Sequence, residues 1–332
     1  MPHMPTRRDC LSLLALPALG AALLPARTQA QAPAPVYTQP LRIVLPFAPG
    51  GPTDMMARAI SKSMSQTLGQ PVVIDNKPGG GGLVAFADVV RAPADGYTLA
   101  FPSILAVTNP ALMPKYPYET LRDFTPVTVV GFIPHVLAVR TDHPAKSLAD
   151  LVATARAKPD SVTYASSGNG TSAHLAAALL ASEAKVSMLH VPYKGAGPAL
   201  TDLLSGQVEC MFLDTNSAIP QIRAGKLRAL AAAPRRRIAL LPDVPTVAEQ
   251  GYPNFDVHGW YGLLARAGTP EPMVNLLHNA VRIALATPEV REQFRGAAVD
   301  AGGMPPAEYR EIIRNDLVKW KTLVDRLQIK LD

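Results

Sequence analysis

Two glycine-rich segments constrain this chain most: Pro46-Phe47-Ala48-Pro49-Gly50-Gly51-Pro52-Thr53-Asp54 and Ser166-Ser167-Gly168-Asn169-Gly170-Thr171-Ser172-Ala173-His174. Each follows a short apolar run, residues 41–45 or 162–165, and each opens a stretch with apolar residues at helical spacing. After the first, Met56, Ala59, Ile60, Met64 and Leu68 recur before Gly69, and Thr53 and Asp54 offer N-caps. Strand, glycine-rich loop and helix in that order belong to a sheet with helices packed on it.

The same grammar returns along the chain. Strands are expected over 71–74 and 97–101, with a loop over 79–82 and a helix over 83–91 between them. A second series places strands at 136–139, 162–165, 188–191 and 208–213, and helices at 147–157, 171–183, 197–204 and 217–223. A strand over 260–264 leads into three C-terminal helical segments, the last spanning 306–327. Alternation of this kind predicts a mainly parallel sheet covered on both faces. At about 100–200 residues per domain, 332 residues suggest two domains.

In open α/β sheets ligands bind at the carboxyl ends of strands, where both glycine-rich segments would lie. A helix N-terminus presents unpaired N–H groups and a partial positive charge, so it can hold an anion without Arg or Lys, and neither segment contains either. Glycine lets a ligand approach the backbone, and Ser and Thr add hydroxyl donors. The blander reading makes Thr53, Asp54, Thr171 and Ser172 caps and the glycines turns; one such loop per half weighs against it. Asp54 would repel an anion, so it is expected to cap its helix or to meet a ligand amine or hydroxyl.

Other chemistries fit poorly. Gly80-Gly81-Gly82-Leu83-Val84-Ala85 matches an alanine-ended dinucleotide fingerprint, but no acidic residue stands at a strand end the right distance on. Gly170-Thr171-Ser172-Ala173-His174 lacks the second glycine of a nucleophile elbow. The histidines, including His190 and His258, show no metal-ligand spacing; only His174 lies within a site segment. No catalytic residue, cofactor or metal is therefore expected. Arg235-Arg236-Arg237 beside Pro234 reads as a solvated loop face, and without aromatics around it gives no case for nucleic acid.

The first thirty residues read as an export signal. Arg7-Arg8 precedes an apolar run from Leu11 to Leu24 and the small-residue stretch Thr28-Gln29-Ala30, with cleavage expected after Ala30. The run is short of the ~20 residues a membrane span needs and contains Pro17 and Gly20. Thr6-Arg7-Arg8-Asp9-Cys10-Leu11 resembles a twin-arginine signal, with Cys10 in place of the usual Phe, so the twin-arginine and general secretory routes both stay open. Losing Arg7, Arg8 and Arg27 against Asp9 lowers the formal charge from +6 to about +4, which favours small anions. Cys210 is then the single cysteine of the mature chain, so no internal disulfide is expected.

The motifs PFAPGGPTDMMAR (46–58), NKPGGGG (76–82), ADGYTL (94–99), SSGNGTSAHLA (166–176), VPYKGAGPA (191–199), AGKLRALA (224–231), LPDVPTVAEQG (241–251) and GTPEPMVNLL (268–277) run through nearly the whole mature chain. In them the sequence resembles the substrate-binding receptors of tripartite tricarboxylate transporters, the Bug/TctC family. The resemblance implies a periplasmic binding protein-like α/β fold: two α/β lobes joined by crossover strands, with a ligand cleft between them. It implies lobe one from 41–135 plus 257–332 and lobe two from 136–256, behind a signal peptide (1–30) and a disordered lead-in (31–40). Carried over by position, the ligand contacts are Phe47, Ala48, Gly51, Thr53 and Asp54 in lobe one and Ser166, Gly170, Thr171 and His174 in lobe two, with Tyr193 and Asp214 added. Leu83-Val84-Ala85-Phe86 and Phe101-Pro102-Ser103 depart from the small residues expected there, which would admit a bulkier or more apolar ligand.

The resulting expectation is a monomeric periplasmic receptor, not an enzyme, that captures a small carboxylate and delivers it to membrane transporter subunits. The rivals are an exported hydrolase or transferase acting on a small acid, and a ligand sensor for a receptor kinase.

Overall fold

The computed structural model describes residues 37–113, 115–327 and 329, apart from the side chain of His258. The expected signal peptide and residues 31–36 of the lead-in lie outside the described residues. Residues 37–40, expected to be disordered, are instead tied down. The Tyr37 ring is 2% exposed, packs edge-on against Tyr97 at 4.9 Å and donates its hydroxyl to Gly96 O at 3.2 Å. Burial of the Tyr37 ring against the half-buried Tyr97 offsets part of the cost of ordering this segment.

The first half runs β1 (Leu41–Leu45), α1 (Pro52–Leu68), β2 (Val72–Asn76), α2 (Leu83–Arg91), β3 (Thr98–Ala100), α3 (Leu105–Leu112) and α4 (Thr120–Asp123). The long β4 (Phe124–Arg140) leads to α5 (Leu148–Ala157), β5 (Thr163–Ser166), α6 (Ser172–Ala184), β6 (Leu189–Pro192), α7 (Ala196–Ser205), β7 (Cys210–Asp214), α8 (Thr215–Arg223) and β8 (Leu227–Ala232). The chain closes with β9 (His258–Arg266), α9 (Glu271–Ala286), α10 (Pro288–Gly296), β10 (Asp300–Ala301) and α11 (Pro306–Leu327). Among the described residues no helix is long and apolar enough to cross a membrane.

Strand order is β2-β1-β3-β9-β4-β7-β5-β6, with β8 and β10 also on β4. Only the outer triplets, β2-β1-β3 and β7-β5-β6, are parallel; β9 and β4 run against their neighbours. The expected mainly parallel sheet is thus a mixed one, because the two strands that pass between the halves must run opposite ways. Within the first half, period-2 alternation sends Leu41, Ile43 and Leu45 into one core with Met56, Ile60 and Met64 of α1, and Val44 into another with Phe86 and Val89 of α2.

This order fixes where ligands can go. From β1 the chain crosses through α1 to β2 on one side, then through α2 to β3 on the other; from β5 it crosses through α6 to β6, then through α7 to β7. The carboxyl ends of β1 and β5 are therefore topological switch points, and the two glycine-rich loops stand there.

The sequence reading departs from the structure in the crossing strand and its surroundings. Residues 136–139 were expected to form a separate strand, but β4 continues from Phe124 through Pro126 and Pro134. Its pairing with β9 shifts register near Pro126 and Gly131, which accommodates a proline that cannot donate to the ladder. At His135 its pairing passes from β9 to β7, and Pro134 lies opposite His258, where the chain returns. The helix α3 has almost every residue buried and holds Pro110, so it shows no amphipathic period to read.

Candidate functional site

Loop one, residues 46–51, leaves β1 and enters α1. Pro52 occupies the first helical position, where its missing N–H costs nothing, so Gly51 and not Thr53 or Asp54 is the N-cap. Gly51 has φ −85°, which any residue adopts, and a Cβ there would meet open space. Nothing in the fold demands glycine at this position. Its N–H and those of Thr53 and Asp54 belong to the helix end and have no partner four residues back.

Asp54, 5% exposed, braces the loop from below. It accepts from Gly50 N–H (3.1 Å), Arg58 Nε (2.9 Å) and Asn76 Nδ2 (3.2 Å). Burial raises its pKa, but these donors outweigh burial and hold the carboxyl below its usual range. Asn76, at the end of β2, also donates to Phe47 O at 3.0 Å. Its position in NKPGGGG was the only sequence signal for this role. Phe47 and Gly51 are half-buried, Thr53 is buried and Ala48 exposed.

Loop two, residues 167–171, leaves β5 and enters α6. Gly170 has φ +75° and a Cβ would fall 2.6 Å from Leu112 Cδ1, so its left-handed backbone and its neighbour both favour glycine here without any ligand. Its N–H donates to His174 Nδ1 at 3.1 Å and its carbonyl accepts from Thr108 Oγ1 of α3 at 3.0 Å. Thr171, the N-cap of α6, donates its hydroxyl to Gly168 O at 2.7 Å and makes no side-chain cap. Ser166 is fully buried and bonds to the Gly168 backbone and to His190 Nε2, the latter at 2.7 Å. The first-turn N–H groups of Ser172 and Ala173 belong to the helix end and have no partner four residues back.

With Nδ1 accepting, the His174 proton sits on Nε2 and the ring is neutral. Burial, and secondarily His190, push its pKa down to about 3. Tyr193 runs alongside, its N–H donating to Ser166 O (3.0 Å) and its hydroxyl to Asp202 (2.6 Å). Asp214, the N-cap of α8, lies 3.1 Å from His135 Nε2 at the crossing of β4.

The structure links the two loops through α3. A Cβ on Gly82 would sit 3.2 Å from Pro46, Asn109 Nδ2 donates to Gly81 O at 2.7 Å, and the adjacent Thr108 holds Gly170. Of the departures noted in the sequence, Phe86 and Phe101 have their rings in the core, 1% and 0% exposed, the edge of Phe86 lying against Gly82 beside Pro46, while Val84 is 50% exposed. Two recesses of about 410 and 430 Å³ lie away from the loops, one beside Arg42 and Tyr97 and the other beside Arg140 and Lys226. The first is at the amino ends of its strands, opposite the end where α/β sheets bind ligands. Among the described residues no group of His, Cys, Asp and Glu is placed to hold a metal.

Two α/β halves joined by antiparallel crossing strands, each with a glycine loop at its switch point, define a periplasmic binding protein-like receptor. The chain belongs to the Bug/TctC family: residues 56–329 match the tripartite tricarboxylate transporter family receptor, TctC. It is 36% identical to protein BugT of Bordetella pertussis over 295 residues, 88% of this chain and 90% of BugT. Among solved structures it resembles the periplasmic binding protein BugD (33% identity, TM-score 0.80, 89% of this chain and 100% of BugD). It also resembles Rpa4515 of R. palustris with adipate (33%, 0.82, 89% and 99%) and MatC from Rhodopseudomonas palustris with bound malate (36%, 0.79, 86% and 99%). These relatives are solute-binding proteins and not enzymes.

Proposed function

We propose that this protein is a periplasmic receptor that captures a small carboxylate between its two loops and delivers it to a tripartite tricarboxylate-type membrane transporter. The observation that carries this reading is Gly51: an open, unstrained glycine at a helix N-terminus, free of any packing reason to be glycine. A bound anion is such a reason, because a side chain there would keep it off the N–H groups. Malate and adipate in two relatives support a di-acid as the ligand class.

In this reading lobe one comprises 41–135 plus 257–332 and lobe two 136–256, divided where β4 changes partner. Gly51, Thr53, Phe47 and Ala48 meet one end of the ligand. The helix end at Thr171, with His174 offering its Nε2–H, meets the other, and Asp214 and Tyr193 border it. Asp54, Ser166 and Gly170 shape the loops. A ligand touching both lobes has more contacts when they close, and that differential affinity drives closure. Export follows cleavage after Ala30, by either secretory route, and the receptor acts as a monomer. A thermal-shift screen of di- and tricarboxylates followed by titration calorimetry tests the reading. One acid binding one-to-one without turnover supports it; a melting temperature that no acid raises defeats it.

A further inference from the structure

Loop two contains no charged side chain, yet a backbone that is to hold an anion has to be shaped before the anion arrives. Its internal bonds converge on two imidazoles. His174 Nδ1 holds the Gly170 N–H, and His190 Nε2 meets Ser166 Oγ, which in turn bonds to the Gly168 N–H and carbonyl. The two rings lie face to face, 4.0 Å between centroids and 3° between planes. Tyr164 of β5 stacks on His190 at 4.9 Å and 17°.

We propose that His190 is a positioning residue for the anion loop: stacked on His174, flanked by Tyr164 and bonded to Ser166, it holds both ends of the 168–170 turn. This rests on the reading that loop two meets the ligand. His190 comes from β6, touches the loop through other side chains only, and is absent from the expected contacts. If its ring is removed, His174 loses the surface it packs on and Ser166 loses its partner, so the Gly170 N–H and the Gly168 peptide are released together.

The stack requires neutral rings, since two imidazolium ions in face contact repel. Burial pushes His190 down to about 4 and, with His190 itself, His174 down to about 3. The groups at the pair are Tyr164 and Ser166 of β5, with Cys210 of β7 acting on Tyr164. Among the described residues no carboxylate acts on either imidazole.

The test is amide hydrogen exchange at Gly170 in the full mature protein at pH 7, for wild type, His190→Ala and His190→Phe. The expected result is at least tenfold faster exchange at Gly170 in His190→Ala, with helix α1 unchanged, and a smaller acceleration in His190→Phe, which keeps a ring but loses the nitrogen. In wild type, Gly170 protection should fall as pH drops through about 4. Gly170 exchange within twofold of wild type in either variant overturns the proposal; should His190→Ala not fold, His190→Phe decides. Malate affinity measured in parallel separates the two readings. A loosened Gly170 with unaltered malate affinity leaves His190 as the positioning residue and removes loop two from the ligand site.

Discussion

Thr108 Oγ1 in α3 donates a 3.0 Å hydrogen bond to the carbonyl of Gly170, 62 residues away in the other half of the sheet. Both partners are buried, and Leu105 and Leu112 of the same helix pack over Gly170. A helix with no readable period in the sequence thus connects the loop after β5 to the loops after β1 and β2.

Replacing Thr108 by Val keeps the shape and leaves a buried carbonyl without its donor. The expected loss is about 1–3 kcal/mol of folding stability, read as a lower urea midpoint with the slope unchanged. A midpoint equal to wild type would mean that the carbonyl finds water and the link is unimportant.

Gly170→Ala meets two obstacles, a left-handed φ and a Cβ 2.6 Å from Leu112. Stability should fall by more than about 1 kcal/mol from the backbone alone. Adding Leu112→Ala relieves the contact without relieving φ, so the double variant should remain less stable than Leu112→Ala by itself. Equal melting temperatures for those two proteins would place the whole effect in the clash.

Asp54→Asn removes the charge that Arg58, Gly50 and Asn76 all serve. It should cost about 1–3 kcal/mol and loosen loop one, whereas Arg58→Ala, at an exposed side chain, should cost much less because Gly50 and Asn76 remain. Similar losses for both variants would show that the ion pair and not the loop contacts gives Asp54 its role.

Much of this was legible in the sequence, and the limits have physical causes. The loops at 46–54 and 166–174 show themselves through glycine and apolar period, because strands and helices impose those patterns locally. Asp54 as a brace, Thr108 under Gly170 and the His174–His190 stack depend on residues brought together by β4 and the sheet order, and no local pattern encodes that. Phe86 and Phe101 show the same limit: position in the chain suggests the cleft border, while strand and helix facing turn both rings into the core, with the edge of Phe86 against Gly82.

Acid sensitivity follows from the buried imidazoles. Their folded pKa values are lowered, to about 4 and about 3, against an ordinary value of 6.5. Below pH 6.5 the unfolded chain therefore takes up protons that the folded chain refuses. Stability should be level above pH 6.5 and fall towards pH 5 by up to about 1.4 kcal/mol per pH unit for each ring. Asp54 acts lower: its lowered pKa contributes stability above about pH 4 that is lost only as pH falls further. Urea melts from pH 7.5 to 5 check this, and a stability that does not change over that range would contradict neutral buried rings.

Gly51→Val bears on the central claim most directly, since the fold leaves open space at this position and the proposed anion does not. Native mass spectrometry of wild type and Gly51→Val, each purified without added ligand and then mixed with the acid that wild type carries or binds, compares their one-to-one complexes. The account predicts a variant that melts like wild type and retains at most about a tenth of the complex, a loss of about 1.4 kcal/mol or more in binding. A variant that is folded and carries the acid as fully as wild type would contradict it.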